Sequence, residues 1–295
     1  MRSALRWAGH GHSSIRHILN PGTILSLDLS HHPSGFGVSP VGILRPVLWW
    51  ALLGKLIAAA LWITGHDFAA WIVFFAPDPF VAYAIVAPSA QGLVRVFTHF
   101  ATDRHAVWLT IDDGPDEHDT PLILDLLDRY RARATFFVVG ERAAQWPHLV
   151  TEIARRGHQI GHHTHTHPAK TFWCATPQRL ACELDQPLAI LQGLGIRPRL
   201  FRAPVGIKHF LLARALALRG LHCVGWSMRS GDCRTTSPGK LVAGMKRHLR
   251  PGAIILLHEG PSVRPAVRIK GIALLLEAIA ARKLTCEIPE FHQLR

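Results

Sequence analysis

From Ala106 onward the chain alternates short β-rich runs with amphipathic helical stretches, and this alternation restricts the fold more than any other feature of the 295 residues. The β-rich runs are 106–111, 134–139, 158–164, 199–203, 222–227, 253–258 and 284–288. Helical patterns separate them, and the last places Ile272, Leu275, Leu276 and Ile279 on one face at helical spacing. Strand–helix repetition of this kind predicts a mostly parallel sheet covered by helices. The expected class is α/β, a distorted (β/α) barrel of about seven parallel strands. No G-x-G-x-x-G and no P-loop motif follows any of the runs, so dinucleotide and nucleotide-phosphate chemistry lack support.

Two further regions precede the alternation. Residues 1–42 are rich in His, Ser, Gly and Pro, show no clear period and contain one acidic residue, Asp28; they read as a poorly ordered extension. No apolar core follows a short basic start, so no cleavable signal peptide is expected at Met1. Residues 43–91 are strongly apolar. The run Pro46–Thr64 carries Lys55 alone near its middle, and the run Phe68–Ala87 is broken by Pro77-Asp78-Pro79. A spanning helix needs about 20 apolar residues, and each run just reaches that. A central Lys costs roughly 2.5–3.5 kcal/mol on insertion scales, which the surrounding Leu, Trp and Ile offset. Residues 43–91 are therefore expected to associate with a membrane as one span or as a hairpin, with buried helices packing on the rest of the chain as the alternative. Arg2, Arg6, Arg16 and Arg45 precede the apolar runs, which predicts a cytoplasmic N-terminus. One span then carries residues 92–295 across the membrane; a hairpin returns them. The remaining domain, 92–295, holds the whole strand–helix pattern.

The formal charge of +13 fits solubility and attraction to anionic surfaces, and because Lys and Arg are spread along the chain no nucleic-acid partner is expected. Five cysteines, an odd number with no C-x-x-C pair, predict neither a zinc knuckle nor a full disulfide framework.

In a parallel barrel, functional groups gather at the C-terminal ends of the strands. Asp112 and Asp113 end the first β-rich run, His163, His165 and His167 the third, Arg202 the fourth and His258 the sixth, with Asp232 just beyond the fifth. Single residues of this kind are often caps or surface groups; five coincident ends are not explained that way. His163 and His167 share a face if the strand passes into a helical turn. With Asp113 they form a set of two imidazoles and one carboxylate that suits zinc or a similar divalent metal. Asp112 is then a spare carboxylate, although the Asp pair before Gly114 also reads as a plain turn. His258 would point into the same mouth. Arg202 and Asp232 read either as ordinary ion-pair residues or as partners orienting Asp112 and His258. A metal, a base and an acid point to hydrolysis of an amide or ester. No G-x-S-x-G marks a serine nucleophile.

In order along the chain, T-I-D-D-G-P (110–115), H-T-H-T-H (163–167), R-A-P-V-G (202–206), S-G-D-C (230–233) and L-L-H (256–258) resemble the five motifs of the polysaccharide deacetylases, the NodB-homology domain of carbohydrate esterase family four. The resemblance spans about residues 106–288. It implies a metal-dependent hydrolase removing N-acetyl groups from N-acetylglucosamine-type units, the metal being zinc, with cobalt, nickel or manganese as alternatives. It assigns Asp113, His163 and His167 as ligands, Asp112 as general base, His258 as general acid, Arg202 as partner of the base and Asp232 as partner of the acid. The backbone N–H of Val205 would serve the oxyanion. Motif four departs from the family pattern: Arg229 and Cys233 stand where an Asp and a Trp are usual, and the Trp normally lines the sugar pocket. Trp226 and Pro204 are the remaining pocket candidates. The implied partner is an N-acetylated polysaccharide or oligosaccharide; a polyprenyl-phosphate-linked amino sugar and a non-catalytic metal- or glycan-binding module are the two alternatives.

Overall fold

Three apolar helices lead into the fold, α1 (Pro46–Ile63), α2 (Asp67–Phe75) and α3 (Asp78–Val86). They were obtained, with the rest of the molecule, from a computed structural model that describes residues 46–235 and 237–295; the extension 1–42 lies outside the described residues. The bend between α2 and α3 falls at Pro77-Asp78-Pro79, where proline cannot continue a helix. Lys55, the lone charge of the first run, donates to Asp78 Oδ1 at 2.7 Å and to the Phe74 carbonyl, with its ammonium 3.8 Å from the Phe74 ring centroid. Its charge is thus met inside the helical hairpin. Pro46–Ile63 and Asp67–Val86 are long and apolar enough to cross a membrane, and only 6% and 17% of their residues are buried.

Nine strands follow: β1 (Val96–Phe97), β2 (Ala106–Asp112), β3 (Ala134–Val138), β4 (Gln159–His162), β5 (Leu200–Phe201), β6 (His222–Val224), β7 (Met228–Arg229), β8 (Ile254–His258) and β9 (Thr285–Cys286). Their order is β1-β6-β5-β4-β3-β2-β8-β7, with β9 on β2, and every ladder is parallel. Each of the seven expected runs contains a strand, and the parallel α/β barrel class holds. β1 and β7 are additional; they fall outside the β-rich runs of the sequence. They end the ladder order, and across the gap His99 bridges Ala253 in antiparallel fashion.

Helices α4 (Asp119–Arg129), α5 (Gly140–Gln145), α6 (Pro147–Arg155), α7 (Pro177–Gly193), α8 (Leu212–Ala217), α9 (Pro238–Lys246) and α10 (Arg268–Ala281) cover the outside. The face of α10 expected to pack inward, Ile272, Leu275, Leu276 and Ile279, is buried in the main core with Leu109, Ile111, Ile123 and Leu257. Each such side chain stabilises the fold by about 1.5–3 kcal/mol. Period-two alternation sorts the β2 side chains. Val107, Leu109 and Ile111 enter that helix-covered core. Trp108 joins Phe137, Val224 and Ile254 in a separate cluster, so Thr110 and Asp112 share its side of the sheet. Asp112 therefore emerges at the strand end on the side opposite the helices.

Candidate active site

The strand register brings the chemistry together before any side chain is considered: Asp112 pairs with His258 across β2 and β8, and His162 with Phe201 across β4 and β5. Beyond those ends the backbone turns sharply. Asp113 takes φ 72°, Thr164 φ 63° and His167 φ 52°. The left-handed turn at Asp113 lets two consecutive carboxylates face one mouth, which strand alternation forbids. His163 and His167 also converge through left-handed residues, and the expected helical turn between them is absent. Glu183 on α7 explains this loop: its carboxylate accepts the N–H groups of His165 and Thr166 and the Thr166 hydroxyl, at 2.9, 2.9 and 2.7 Å. These bonds replace the ones a helix would have made.

Asp113 Oδ1 lies 3.5 Å from His163 Nε2 and 3.4 Å from His167 Nε2, and it is buried with no hydrogen-bond partner. Its Oδ2 accepts the Ser262 hydroxyl at 2.7 Å. His163 Nδ1 donates to the Arg202 carbonyl at 2.8 Å, which leaves the Nε2 lone pair facing Asp113. Burial by itself would raise the Asp113 carboxyl, but the facing His163, His167 and His258 outweigh it and hold it well below the carboxylate range. Burial, with His163 nearby, pushes His167 down to about 4, so its ring is neutral at physiological pH and its nitrogen available. An unpartnered buried oxygen and two imidazole nitrogens, all within 4.8 Å of one another, form a set that could hold a divalent cation.

Asp112 sits beside this set, its Oδ2 3.7 Å from His163 Nε2. Arg202 holds the other oxygen at 2.7 Å, while donating also to Thr110 Oγ1 at 2.7 Å and to the carbonyls of Val224 and Gly225 at 3.2 and 2.8 Å. Its guanidinium carbon lies 4.1 Å from the Phe137 ring centroid. Burial lowers the Arg202 pKa and Asp112 opposes that shift. On the opposite side His258 Nδ1 bonds Asp232 Oδ1 at 2.8 Å, and Asp232 Oδ2 accepts the His258 N–H at 2.7 Å. Burial alone would lower the His258 pKa; Asp232, Cys233 and Asp112 raise it well above the ordinary value.

Val205 has φ 49° within the 3-10 turn Pro204–Gly206 and exposes its side chain. Gly206 and Ile207 N–H groups close this turn onto Ala203 and Pro204. Trp226 packs beside it: a Cβ on Gly206 would approach the Trp226 ring to 2.9 Å. Trp226 also lies 5.7 Å from the Arg202 guanidinium and against the Phe97 cluster, so much of it serves packing. Arg229 sits on β7 with an exposed side chain. Asp112, Asp113, His163, His167, Arg202, Asp232 and His258 thus meet at one strand-end mouth, while the Val205 side chain is exposed.

Besides Glu183, two residues of the surroundings were not anticipated. Ser262 fixes the Asp113 carboxylate, and Glu259 is fully buried behind it, accepting the Thr120 hydroxyl. Burial, assisted by Asp116 and Asp119, pushes Glu259 up to about 8, so it is protonated at neutral pH. A Cβ on Gly114 would lie 1.7 Å from Glu259 Oε1, which gives a reason for glycine after the Asp pair. The only sequence signal was a carboxylate directly after His258.

A family model described as polysaccharide deacetylase matches residues 100–224. The chain is 35% identical over 166 residues to a chitooligosaccharide deacetylase of Bradyrhizobium sp. (strain ANU 289), covering 52% of this chain and 71% of that one. It is 32% identical over 158 residues to a peptidoglycan-N-acetylglucosamine deacetylase of Bacillus cereus, covering 53% and 73%. Among solved structures, a family 4 carbohydrate esterase from Streptomyces lividans in complex with acetate superposes with a TM-score of 0.57 at 30% identity, over 64% of this chain and 95% of that one. By these likenesses the chain belongs to the polysaccharide deacetylases, the hydrolases of carbohydrate esterase family four.

Proposed function

We propose that this chain is a metal-dependent deacetylase of N-acetylglucosamine-type units in a polysaccharide or oligosaccharide. The observation that carries the reading is the Asp113 Oδ1 atom, buried and unpartnered between two imidazole nitrogens, with a second carboxylate alongside. A divalent cation held by Asp113, His163 and His167, zinc by the chemistry of that donor set, supplies Lewis acidity toward water and an amide carbonyl. The chain's own groups do the rest. Arg202 keeps one Asp112 oxygen occupied and leaves Oδ2 to take the proton of the attacking water. The Val205 N–H meets the charge that develops on the carbonyl oxygen. His258, kept protonated by Asp232, gives its proton to the departing amine. Trp226 and Pro204 border the sugar.

Residues 43–91 form, on this reading, a membrane-associated region ahead of a catalytic domain over 92–295. One feature favours a lipid-linked amino sugar as a second reading of the substrate. The end of α3 is tied to the Val205 turn: the Lys208 N–H donates to Ile85 O at 2.9 Å, and the Lys208 ammonium to Gly206 O at 3.3 Å and to Ala87 O. The apolar hairpin therefore ends beside the catalytic mouth.

The test is acetate release from a chitooligosaccharide by the full chain, before and after chelation and again after zinc is returned. Activity should vanish and recover, and Asp112→Asn should lower it by roughly 10²–10⁴-fold at unchanged metal content. A chelated protein as active as the untreated one, or a fully active Asp112→Asn, would refute the reading; release from a lipid-linked substrate alone would shift it to the second.

A further inference from the structure

Cys233 stands where a tryptophan is usual in this family, and its surroundings differ from those of the other thiols. It follows Asp232 in the loop after β7, directly against the end of β8. Its Sγ lies 3.6 Å from Asp232 Oδ1, and its own N–H donates to that oxygen at 3.0 Å. Ligand atoms of Asp232, Cys233 and His258 all lie within 4.8 Å of one another. Asp232 is held in place by the His258 N–H as well, through its other oxygen. Cys233 and His258 are both partly buried, and the Cys233 side chain also packs against the edge of the helix-covered core.

We propose that Asp232, Cys233 and His258 form a second site, for a thiophilic divalent cation, whose filling withdraws the His258 imidazole and stops hydrolysis. The proposal rests on the reading of His258 as the proton donor. A carboxylate, a thiolate and an imidazole select zinc, cobalt or cadmium over magnesium and calcium, because the sulfur is a soft donor. Binding releases the Cys233 thiol proton and the proton His258 shares with Asp232, both to solvent. The order of filling follows from what each site gives up. Asp113 Oδ1 has no hydrogen bond to lose, whereas the second site must break the 2.8 Å Asp232–His258 bond. The triad of Asp113, His163 and His167 fills first and the second site fills in excess metal.

Cobalt separates the two sites by spectroscopy, since only a thiolate ligand gives near-ultraviolet sulfur-to-cobalt charge transfer. The metal-stripped full chain should bind two equivalents of Co2+, the second bringing that band. Cys233→Ser should bind one equivalent without it. A single equivalent with no band in the wild type would overturn the proposal. So would a band surviving Cys233→Ser, which would assign it to the exposed Cys174 or Cys182. With zinc, activity at two equivalents should fall roughly 100-fold below activity at one, and the ratio should stay near one in Cys233→Ser. Two equivalents and a band with no inhibition would overturn the inhibitory half and remove His258 from its role as donor, while chelator-sensitive acetate release at one equivalent would leave the triad reading intact.

Discussion

Replacing Glu259 by Gln removes an ionisable group whose folded and unfolded states hold their proton very differently. In the folded chain burial pushes Glu259 up to about 8, with Asp116 and Asp119 adding to the shift and Thr120 and Arg142 opposing it, against 4.5 for a free carboxyl. Because the folded state holds the proton more tightly, the associated stability is present below about pH 4.5 and is lost as pH rises toward 8. At 1.36 kcal/mol per unit, the loss is on the order of 4 kcal/mol across that window, a large share of a domain's net stability. Glu259→Gln keeps an acceptor for the Thr120 hydroxyl and abolishes the titration. Urea unfolding of both proteins, followed by near-ultraviolet circular dichroism at about pH 5 and about pH 8.5, isolates the group because all other titrations cancel between them. The Glu259→Gln protein should gain on the wild type by several kcal/mol from the lower to the higher pH. A stability difference equal at the two pH values would refute the assignment of Glu259 as a neutral buried acid.

Arg202→Met should destabilise the chain by about 3–5 kcal/mol, because it strands the buried Asp112 carboxylate without its partner; urea midpoints check this, and an unchanged midpoint would mean that the pair contributes nothing. Asp232→Asn leaves a single acceptor oxygen where two now receive the His258 N–H, His258 Nδ1 and the Cys233 N–H. Losing charge-assisted bonds worth about 1.5–3 kcal/mol should cost roughly 10–100-fold in kcat. The raised His258 pKa falls with the carboxylate's charge, so the alkaline limb of kcat/KM against pH should move to lower pH; a limb that stays put would deny Asp232 its part.

The barrel was legible in the chain because its central strands are long enough to show a period and its helices have one apolar face. β2 is buried over all seven of its residues and α10 buries the four apolar positions that its spacing picked out. β1 and β7 were not legible, because β1 lies ahead of the strand–helix alternation and β7 comes directly after the run 222–227. In the apolar region the Pro77-Asp78-Pro79 bend was readable, but the pairing of Lys55 with Asp78 needs the fold to bring together positions 23 apart. The same holds at the site. Asp112, Asp113, the two imidazoles and His258 stand out by position at strand ends. Ser262 and Glu259 find their partners Asp113 and Thr120 at separations of 149 and 139 residues, and no local pattern announces such pairs.

The misread turn between His163 and His167 has a more general cause. Six residues other than glycine adopt positive φ among the described residues: Asp113, Arg131, Thr164, His167, Val205 and Lys283. Four of these lie in the strand-end loops that form the site, while Arg131 and Lys283 merely follow helix ends. A left-handed residue costs roughly 1–2 kcal/mol, so the mouth stores several kcal/mol of backbone strain that local propensity argues against. Buried bonds offset it: Glu183 ties the histidine loop, Ser262 ties Asp113, and Lys208 ties the Val205 turn. The strain is confined to positions where donor atoms must converge, and a propensity-based reading errs there because convergence, not local preference, sets the backbone. Glu183→Ala should therefore loosen His163 and His167 together, seen as simultaneous broadening of both imidazole signals in NMR spectra; broadening of one signal alone would show that the two rings are held independently of that carboxylate.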